Sequence, residues 1–350
     1  GELKTKPTQH SYKELMSLGI KPNIIVTRCE ERISDEIRKK ISMFCDVREN
    51  AIIESVNVNN IYEVPLSFQR QGLDDYVLHK LNIHAPRADM SEWEKMIDNA
   101  NNLKHTVKIA IVGKYVQLHD AYLSVSESLK HAGYPISSDI DIRWVNSEFL
   151  TKENLESELG GLDGILVPGG FGGRGIEGKI MAAQYARVNK IPYFGICLGM
   201  QIAVIEFARN VCGLEGANSV EWDESTKHPV IHLMPDQNGV VNLGGTLRLG
   251  NWPCKIKDNT KTRSVYKEET ILERHRHRYE VNNVYREVME QNGAVFSGLS
   301  PDDYLVEITE LKDHPWFVGC QFHPEFKSRP NRAHPLFAGF VKAALDYSQK

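Results

Sequence analysis

Residues 192–201 constrain the fold more than any other part of the chain, because the pattern changes there from strand to helix within a few residues. The first half of the stretch is apolar and predicts a buried strand, and the apolar residues that continue to Arg209 predict a buried helix. Gly195 and Gly199 flank a cysteine at the junction, and we expect these glycines to let the backbone reverse. The sequence therefore predicts a sharp strand–turn–helix with Cys197 at its apex.

The predicted position of Cys197 suits a nucleophile. A side chain at such an apex projects from the first turn of the helix, as serine does in the nucleophile elbow of hydrolases. The unpaired N–H groups and the positive end of a helix favour a thiolate, and a low thiol pKa makes cysteine nucleophilic near neutral pH. The alternative is a structural cysteine at a tight turn, because cysteine is among the most buried residue types.

A second motif, far downstream, supplies a base for that thiol. Residues 316–322 predict a strand, and His323, Pro324 and Glu325 follow at its end. Histidine is the usual base near neutral pH, and it needs an acceptor that orients its ring. We expect Pro324 to hold Glu325 at an extended spacing from which it turns back toward His323. Alone, this histidine would be interpreted as a surface residue; together with the cysteine elbow, the motif predicts a Cys–His–Glu triad.

Several motifs together resemble a known family. The glycine run at 168–172, the elbow at 195–201 and the triad run at 323–325 resemble class I glutamine amidotransferases. Two further runs, Lys-Thr-Lys-Pro-Thr-Gln-His at 4–10 and Arg-His-Arg-His-Arg-Tyr-Glu-Val-Asn-Asn at 274–283, resemble the CTP synthases in particular. The motifs are long and occur in the order of the family, and the resemblance runs over nearly all of the chain.

The order of predicted elements indicates two domains. From residue 106 onward strands and helices alternate, which predicts an α/β domain with a doubly wound, mostly parallel sheet. An amphipathic helix beginning at Ser91 and an asparagine-rich run at 99–102 predict a linker with a boundary near 103. The resemblance implies that 1–103 is the C-terminal part of an amidoligase (synthetase) domain and that 104–350 is a glutamine amidotransferase domain. Predicted strands are 23–28, 51–56, 107–113, 140–145, 164–168 and 230–234, and predicted helices are 34–43, 73–81, 124–132, 178–189 and 336–347.

Further site residues follow in part from the motifs and in part from the resemblance. The backbone N–H groups of Gly170 and Leu198 can form an oxyanion hole. The resemblance implies that Glu221 pairs with the substrate ammonium group and that Arg278 holds its carboxylate, as a planar fork of donors can. It also implies glutamine contacts at Gly199, Met200 and Gln201, and a uracil nucleotide site at Lys4, Thr5, Lys6, Pro7, Thr8, Gln9 and Lys40. Lysine suits phosphate as a point charge, although each of these charges could equally be a solvated surface group.

Two other motifs are assigned no ligand. Residues 170–175 fit the Gly-x-Gly-x-x-Gly fingerprint of dinucleotide-binding folds, but the strand that follows ends at Cys197 without the required acid. Phe171, within this glycine run, is a candidate for contact with a regulatory ligand. The resemblance also implies a mobile lid near 244–250 that responds to GTP, so Arg248 is a candidate contact with that effector. His275 and His277 could be metal ligands, but the interleaved arginines, Arg278 among them, oppose a bound cation, so we predict no metal site.

Composition excludes several classes of protein. The 350 residues carry a net charge of −4, which does not favour a nucleic-acid binder, and no apolar run approaches a membrane span. Six cysteines are scattered without a Cys-x-x-Cys pair, which favours a reducing cytoplasm over a disulfide framework or a zinc site.

The resemblance implies a glutamine-hydrolysing CTP synthase, a ligase that uses ammonia from L-glutamine for ATP-dependent amination of UTP to CTP. A homotetramer, ATP, Mg²⁺ and activation by GTP are expected of the complete enzyme. No Gly-x-x-x-x-Gly-Lys-Ser/Thr loop occurs in the sequence, so we expect a C-terminal part with only the glutaminase half complete and no bound cofactor. The alternatives are another triad amidotransferase, serving GMP or carbamoyl phosphate synthesis, and a catalytically idle regulatory subunit.

Overall fold

The computed structural model describes residues 3–233 and 248–350. The chain divides into two compact units, Gly1–Asp98 and Asn99–Lys350. The division falls within the helix that begins at Ser91, close to the boundary predicted near 103. None of the helices in the described ranges is long and apolar enough to cross a bilayer.

The first unit is a small α/β structure built on two parallel strands, which pair in register from Ile25 with Ile52. Its elements are α1 (Lys6–Ser17), β1 (Ile25–Arg28), α2 (Asp35–Cys45), β2 (Ile52–Ser55), α3 (Val64–Arg70), α4 (Leu73–Lys80) and most of α5 (Ser91–Asn101). Ser34 caps α2 as predicted, because its side chain accepts a hydrogen bond from the Ile37 N–H. Buried apolar residues of α2 and β2 form the core of this unit.

The second unit is built on a nine-stranded sheet. The described strands of this unit, three of which lie outside that sheet, are β3 (His105–Gly113), β4 (Ser138–Asn146), β5 (Gly164–Val167), β6 (Tyr193–Ile196), β7 (Asn218–Ser219), β8 (Pro229–Leu233), β9 (Arg248–Ile256), β10 (Thr270–His277), β11 (Tyr279–Val281), β12 (Ala294–Leu299), β13 (Val306–Leu311) and β14 (Phe317–Cys320). Its helices are α6 (Leu123–Gly133), α7 (Leu155–Leu159), α8 (Ile176–Val188), α9 (Leu198–Asn210), α10 (Lys261–Tyr266), α11 (Arg286–Gln291) and α12 (Pro335–Ser348).

The strand order is β10-β9-β12-β13-β14-β6-β5-β3-β4, and β11-β8-β7 form a separate three-stranded sheet. Strands β4, β3, β5, β6 and β14 run parallel, and β13, β12, β9 and β10 extend the sheet in antiparallel pairs. The parallel half has a core on each face, one packed by α8 and α9 and the other by α6 and α12. Burial on both faces explains why the central strands β5, β6 and β14 have continuous apolar sequences, and the arrangement confirms the predicted doubly wound class.

The antiparallel half differs from the prediction. We expected a glycine-hinged loop at 244–250, but Arg248 and the two residues after it begin strand β9. The rest of that predicted loop, and Met234 at the end of the strand predicted at 230–234, lie outside the described residues. Strand β10 alternates strictly between exposed and buried residues, but three of its four buried side chains, Glu273, His275 and His277, are polar. The strand therefore lacks the alternating apolar signal that makes a half-buried strand recognisable.

Candidate functional site

The turn around Cys197 has the predicted topology but a different physical cause. Cys197 itself adopts φ +52° and ψ −101°, a conformation that is strained for a residue with a side chain. Neither Gly195 nor Gly199 has a positive φ. A Cβ on Gly195 would lie 2.5 Å from the carbonyl oxygen of Gly199, and one on Gly199 would lie 2.0 Å from the carbonyl oxygen of Val167. The glycines are therefore required for close packing of α9 against the strands, and the cysteine makes the reversal.

The strained backbone of Cys197 is held from both sides. Its N–H donates to the carbonyl oxygen of Cys320 at 2.7 Å, which ties the turn to β14. Its carbonyl oxygen accepts from the N–H groups of Met200 at 3.1 Å and Gln201 at 3.2 Å, which starts α9. The residue is buried with 4% of its surface exposed, so the thiol faces an enclosed site at the carboxyl end of β6.

His323 and Glu325 are in contact. Nδ1 of His323 lies 2.8 Å from Oε1 of Glu325. The predicted extended spacing is wrong: Pro324–Phe326 is a short 3-10 helix, and that turn carries the carboxylate back to the ring. Because a carboxylate only accepts, Nδ1 carries the proton and Nε2 is the nitrogen left for the thiol.

The histidine and the cysteine converge on one point. A Cβ on Gly169 would lie 2.9 Å from Cε1 of His323 and 3.6 Å from Cβ of Cys197. Burial lowers the pKa of His323, but the charges of Cys197 and Glu325 outweigh it and raise the pKa to about 10. Near neutral pH His323 therefore favours the imidazolium form.

The two predicted oxyanion donors are neighbours. Leu198 is the first residue of α9, where no carbonyl of the same helix can accept its N–H. A Cβ on Gly170 would lie 3.3 Å from Cδ2 of Leu198. Gly199 and Met200 follow in the same helical turn and are buried. The side chain of Leu198 thus packs against the glycine loop, and its N–H lies at the N-terminus of the helix that follows the nucleophile.

Glu221 and Arg278 are also brought together. Oε1 of Glu221 accepts a hydrogen bond from the N–H of Gly172 at 2.9 Å. Burial raises the pKa of Glu221, and the Gly172 hydrogen bond and the positive charges of Lys114, Arg278 and Lys179 act against that rise. A carboxylate and a guanidinium therefore lie within electrostatic reach of each other beside the glycine loop, as recognition of an amino acid requires.

Gln201, one of the expected glutamine contacts, is hydrogen-bonded to two neighbouring segments of the chain. Its side chain is buried, and Nε2 donates to the carbonyl oxygen of Tyr279 at 3.0 Å and to Oε1 of Gln321 at 3.1 Å. Gln321, which sequence reasoning missed, donates in turn from Nε2 to the sulfur of Cys197 at 3.5 Å. The sequence signal that could have indicated a role for Gln321 is its position two residues before His323, at the end of a buried strand.

The buried histidines of β10 form a cluster with Glu307. His275 Nδ1 lies 3.0 Å from His277 Nε2, and His277 Nδ1 lies 3.1 Å from the carbonyl oxygen of Tyr279. Since a carbonyl only accepts, His277 donates from Nδ1 and accepts at Nε2 from His275. His275 Nε2 then faces Glu307 Oε2 at 3.6 Å, and Arg248 donates to the other oxygen of Glu307 at 2.6 Å.

This cluster does not fit a metal ion, although the reason we gave from sequence was wrong. Strand alternation exposes Arg274 and Arg276 on the opposite face from the histidines. The opposing cation is the buried guanidinium of Arg248. Both nitrogens of His277 are engaged, which leaves two ligand atoms in the cluster, fewer than the three protein ligands of a catalytic zinc site.

The predicted nucleotide residues lie on two packed helices of the first unit or, for Lys4 and Thr5, immediately before the first of them. Lys4, Lys6 and Lys40 are exposed, and Gln9 donates from Nε2 to the hydroxyl oxygen of the buried Thr5 at 3.0 Å. Pro7 and Thr8 occupy the first turn of α1, and Lys40 lies on α2.

Comparison with known proteins gives two family matches. A family model described as glutamine amidotransferase class-I matches residues 117–343, and one described as CTP synthase N-terminus matches residues 1–83. Part of the N-terminal synthase domain is therefore present, and the expectation that only the glutaminase half is complete is not confirmed.

Similar proteins cover the whole chain. It is 58% identical over 350 residues to a CTP synthase of Bacillus velezensis, and the aligned region covers 100% of this chain and 65% of the relative. It is 60% identical over 345 residues to a CTP synthase of Carboxydothermus hydrogenoformans, and the aligned region covers 99% of this chain and 64% of the relative. The chain thus spans about 65% of the length of such curated relatives.

A solved structure matches the second unit. The glutaminase domain of the Trypanosoma brucei CTP synthase, solved with bound acivicin, is 40% identical with a TM-score of 0.65. The match covers 69% of this chain and 94% of that one. The chain therefore belongs to the class-I glutamine amidotransferase family and, within it, to the CTP synthases.

Proposed function

We propose that residues 104–350 hydrolyse L-glutamine at Cys197 and that the ammonia serves the amination of UTP to CTP in the complete enzyme. The observation that carries the proposal is the buried Cys197 at a strained elbow, opposite a histidine whose other nitrogen is hydrogen-bonded to Glu325 at 2.8 Å. This is the nucleophile, base and orienting acid of a triad.

In the proposed reaction, the Cys197 thiolate attacks the side-chain amide carbon of glutamine. The N–H groups of Gly170 and Leu198 stabilise the oxyanion of the tetrahedral intermediate. The His323 imidazolium donates its Nε2 proton to the departing nitrogen, so that ammonia leaves and a glutamyl thioester remains. His323 then accepts a proton from water, which attacks the thioester and releases glutamate and the thiolate.

Glu221 and Arg278 hold the amino-acid end of the substrate in this proposal. The carboxylate pairs with the α-ammonium group, and the guanidinium forms a bidentate contact with the α-carboxylate. Gly199 and Met200 shape the wall behind the reacting amide. Because Gln201 is engaged with Tyr279 and Gln321, we assign it to support of the site.

The first unit supplies the nucleotide side of the proposal. Lys4, Lys6 and Lys40 hold the triphosphate of UTP or CTP as point charges, with residues 5 and 7–9 shaping the site. In the complete enzyme, ATP and Mg²⁺ would supply the activation of UTP, and GTP would activate glutamine hydrolysis. The complete enzyme would assemble as a homotetramer. The proposed glutaminase steps use neither ATP nor Mg²⁺. Six free thiols are consistent with action in the cytoplasm.

The proposal is tested by measuring ammonia and CTP formation separately on the purified chain. We expect ammonia release from glutamine and its loss in Cys197→Ala without a change in the melting temperature. A folded chain that releases no ammonia, with or without GTP, would favour the idle regulatory subunit. Ammonia release without CTP formation by this chain would support the glutaminase part of the proposal, and the amination of UTP is then measured on the complete enzyme.

A further inference from the structure

We propose that Gln321 is a further catalytic residue, whose side-chain amide donates a hydrogen bond to the thiolate of Cys197. The inference deepens the proposed glutaminase function and rests on Cys197 being its nucleophile. Gln321 is thus a second hydrogen-bond donor to the sulfur, beside His323. Unlike the imidazolium of His323, its amide does not transfer a proton during the reaction.

The position of Gln321 is fixed by burial and by its backbone. None of its surface is exposed. Its N–H donates to the carbonyl oxygen of Glu307 at 2.8 Å, which continues the ladder between β13 and β14 beyond Cys320. From there the side chain reaches the sulfur, with Nε2 at 3.5 Å from Sγ of Cys197. A buried amide in this position has lost its water and must find partners within the protein.

The orientation of the amide follows from its neighbours. Nε2 of Gln201 can only donate, and it lies 3.0 Å from the carbonyl oxygen of Tyr279 and 3.1 Å from the amide of Gln321. The atom of Gln321 that faces Gln201 must therefore be its oxygen, so its NH₂ group faces the sulfur. The reverse orientation would oppose two donors and place a carbonyl oxygen against a thiolate.

A second contact fixes Gln201 in turn. The same Tyr279 carbonyl accepts from Nδ1 of His277 at 3.1 Å, and His277 is locked by His275 at 3.0 Å. The chain of buried polar groups thus runs from the histidine cluster to the nucleophile. We expect these contacts to hold the Gln321 amide in one orientation throughout the reaction, because turning the amide would break its hydrogen bond with Gln201.

The titratable groups near the sulfur give Gln321 a distinct task. His323 and Glu325 approach from the turn after β14, and Cys320 lies on β14 itself. His323 moves its proton to the departing nitrogen and leaves the sulfur without that donor. Gln321 stays in place, so its hydrogen bond to the charged sulfur stabilises the thiolate both before attack and when the thioester breaks.

The test is the pH dependence of Cys197 alkylation by iodoacetamide, quantified on its own peptide by mass spectrometry. Gln321→Met removes the donor at similar volume, and Gln321→Glu keeps an oxygen for Gln201 but replaces the donor with a carboxylate. We expect the alkylation midpoint to rise by about one pH unit in Gln321→Met and by at least as much in Gln321→Glu. The value of kcat for ammonia release should fall about tenfold. Gln71→Met, which removes a hydrogen-bonded amide in the first unit, is the matched control and should change neither.

A measurement without substitution covers the case in which neither variant folds. The side-chain NH₂ resonances of ¹⁵N-labelled Gln321 should shift when Cys197 is alkylated, because the sulfur loses its charge. Unchanged midpoints in folded variants, or unmoved Gln321 resonances, would overturn the inference while leaving the glutaminase intact. A native Cys197 that does not react, in a chain that releases no ammonia, would instead contradict the proposed function.

Discussion

Replacing Glu325 with glutamine removes the negative charge beside His323 while keeping the size of the side chain and an acceptor oxygen for Nδ1. The bond to be weakened joins Oε1 and Nδ1 at 2.8 Å, and both side chains are largely buried. A hydrogen bond between charged groups contributes about 1.5–3 kcal/mol. Since 1.36 kcal/mol corresponds to one pKa unit, the pKa of His323 should fall by about one to two units.

The expected loss of activity follows from the same energy. If the imidazolium is stabilised less, both the thiolate and the proton for the leaving nitrogen become less available, and kcat should fall about 10–100-fold. The KM for glutamine should change less, because Glu325 does not contact the substrate in the proposed reaction. The assay is steady-state ammonia release, with alkylation of Cys197 as an independent readout of the thiolate.

A double variant tests whether Glu325 and His323 act together as members of one triad. His323→Ala removes the base and should be at least as damaging as Glu325→Gln. Because the two residues act together, the double variant should be little worse than His323→Ala alone. If the double variant instead lost activity as the product of the two single losses, Glu325 and His323 would act independently, and the triad interpretation would be wrong.

Four further results are expected. Gly199→Ala places a Cβ 2.0 Å from the Val167 carbonyl oxygen, so the free energy of unfolding in urea should fall by about 3 kcal/mol; a neutral effect would contradict the packing explanation of the elbow. Arg248→Met leaves the buried Glu307 unpaired and should cost about 3–5 kcal/mol in the same measurement, whereas a loss below about 1 kcal/mol would mean that the carboxylate is already neutral. The pKa of His323 is raised to about 10 in the folded chain, whereas it is about 6.5 in the unfolded chain. His323 therefore contributes its full stabilisation below a pH of about 6.5, and this contribution is lost as the pH rises through about 10. His323→Ala should remove this part of the pH dependence of the free energy of unfolding. In a complete enzyme, Lys40→Ala should weaken UTP and CTP binding and spare glutamine hydrolysis without nucleotide, and unchanged nucleotide affinity would remove Lys40 from the site.

The parts of the fold that could be predicted are those with a strong local signal. The central parallel strands β5, β6 and β14 are buried on both faces, so their sequences are continuous apolar runs, and the elbow at Cys197 combines such a strand with a helix. The antiparallel strands β9 and β10 bury one face only, and the arginines and histidines of β10 resemble a family motif more than a strand. Their pairing depends on contacts between distant residues, which local periodicity does not contain.

The candidate site shows the same division. The identities of Cys197, His323 and Glu325 could be predicted because each lies in a short motif whose chemistry is recognisable. The roles of Gly195 and Gly199 were misjudged, because their need for space arises from carbonyl groups on neighbouring elements. Gln321 could not be assigned a role for the same reason: the orientation of its amide is decided by Gln201 and by a carbonyl on β11, which no sequence pattern joins.

The central claim is that Cys197 is the nucleophile among six free cysteines, and labelling tests it most directly. Burial raises the pKa of each of the other five, to about 11 for Cys212. A chloroketone analogue of glutamine should therefore modify Cys197 alone, abolish ammonia release in proportion to the label, and be excluded by excess glutamine. Labelling of Cys212 or Cys320 instead, or full activity after complete modification of Cys197, would contradict the account.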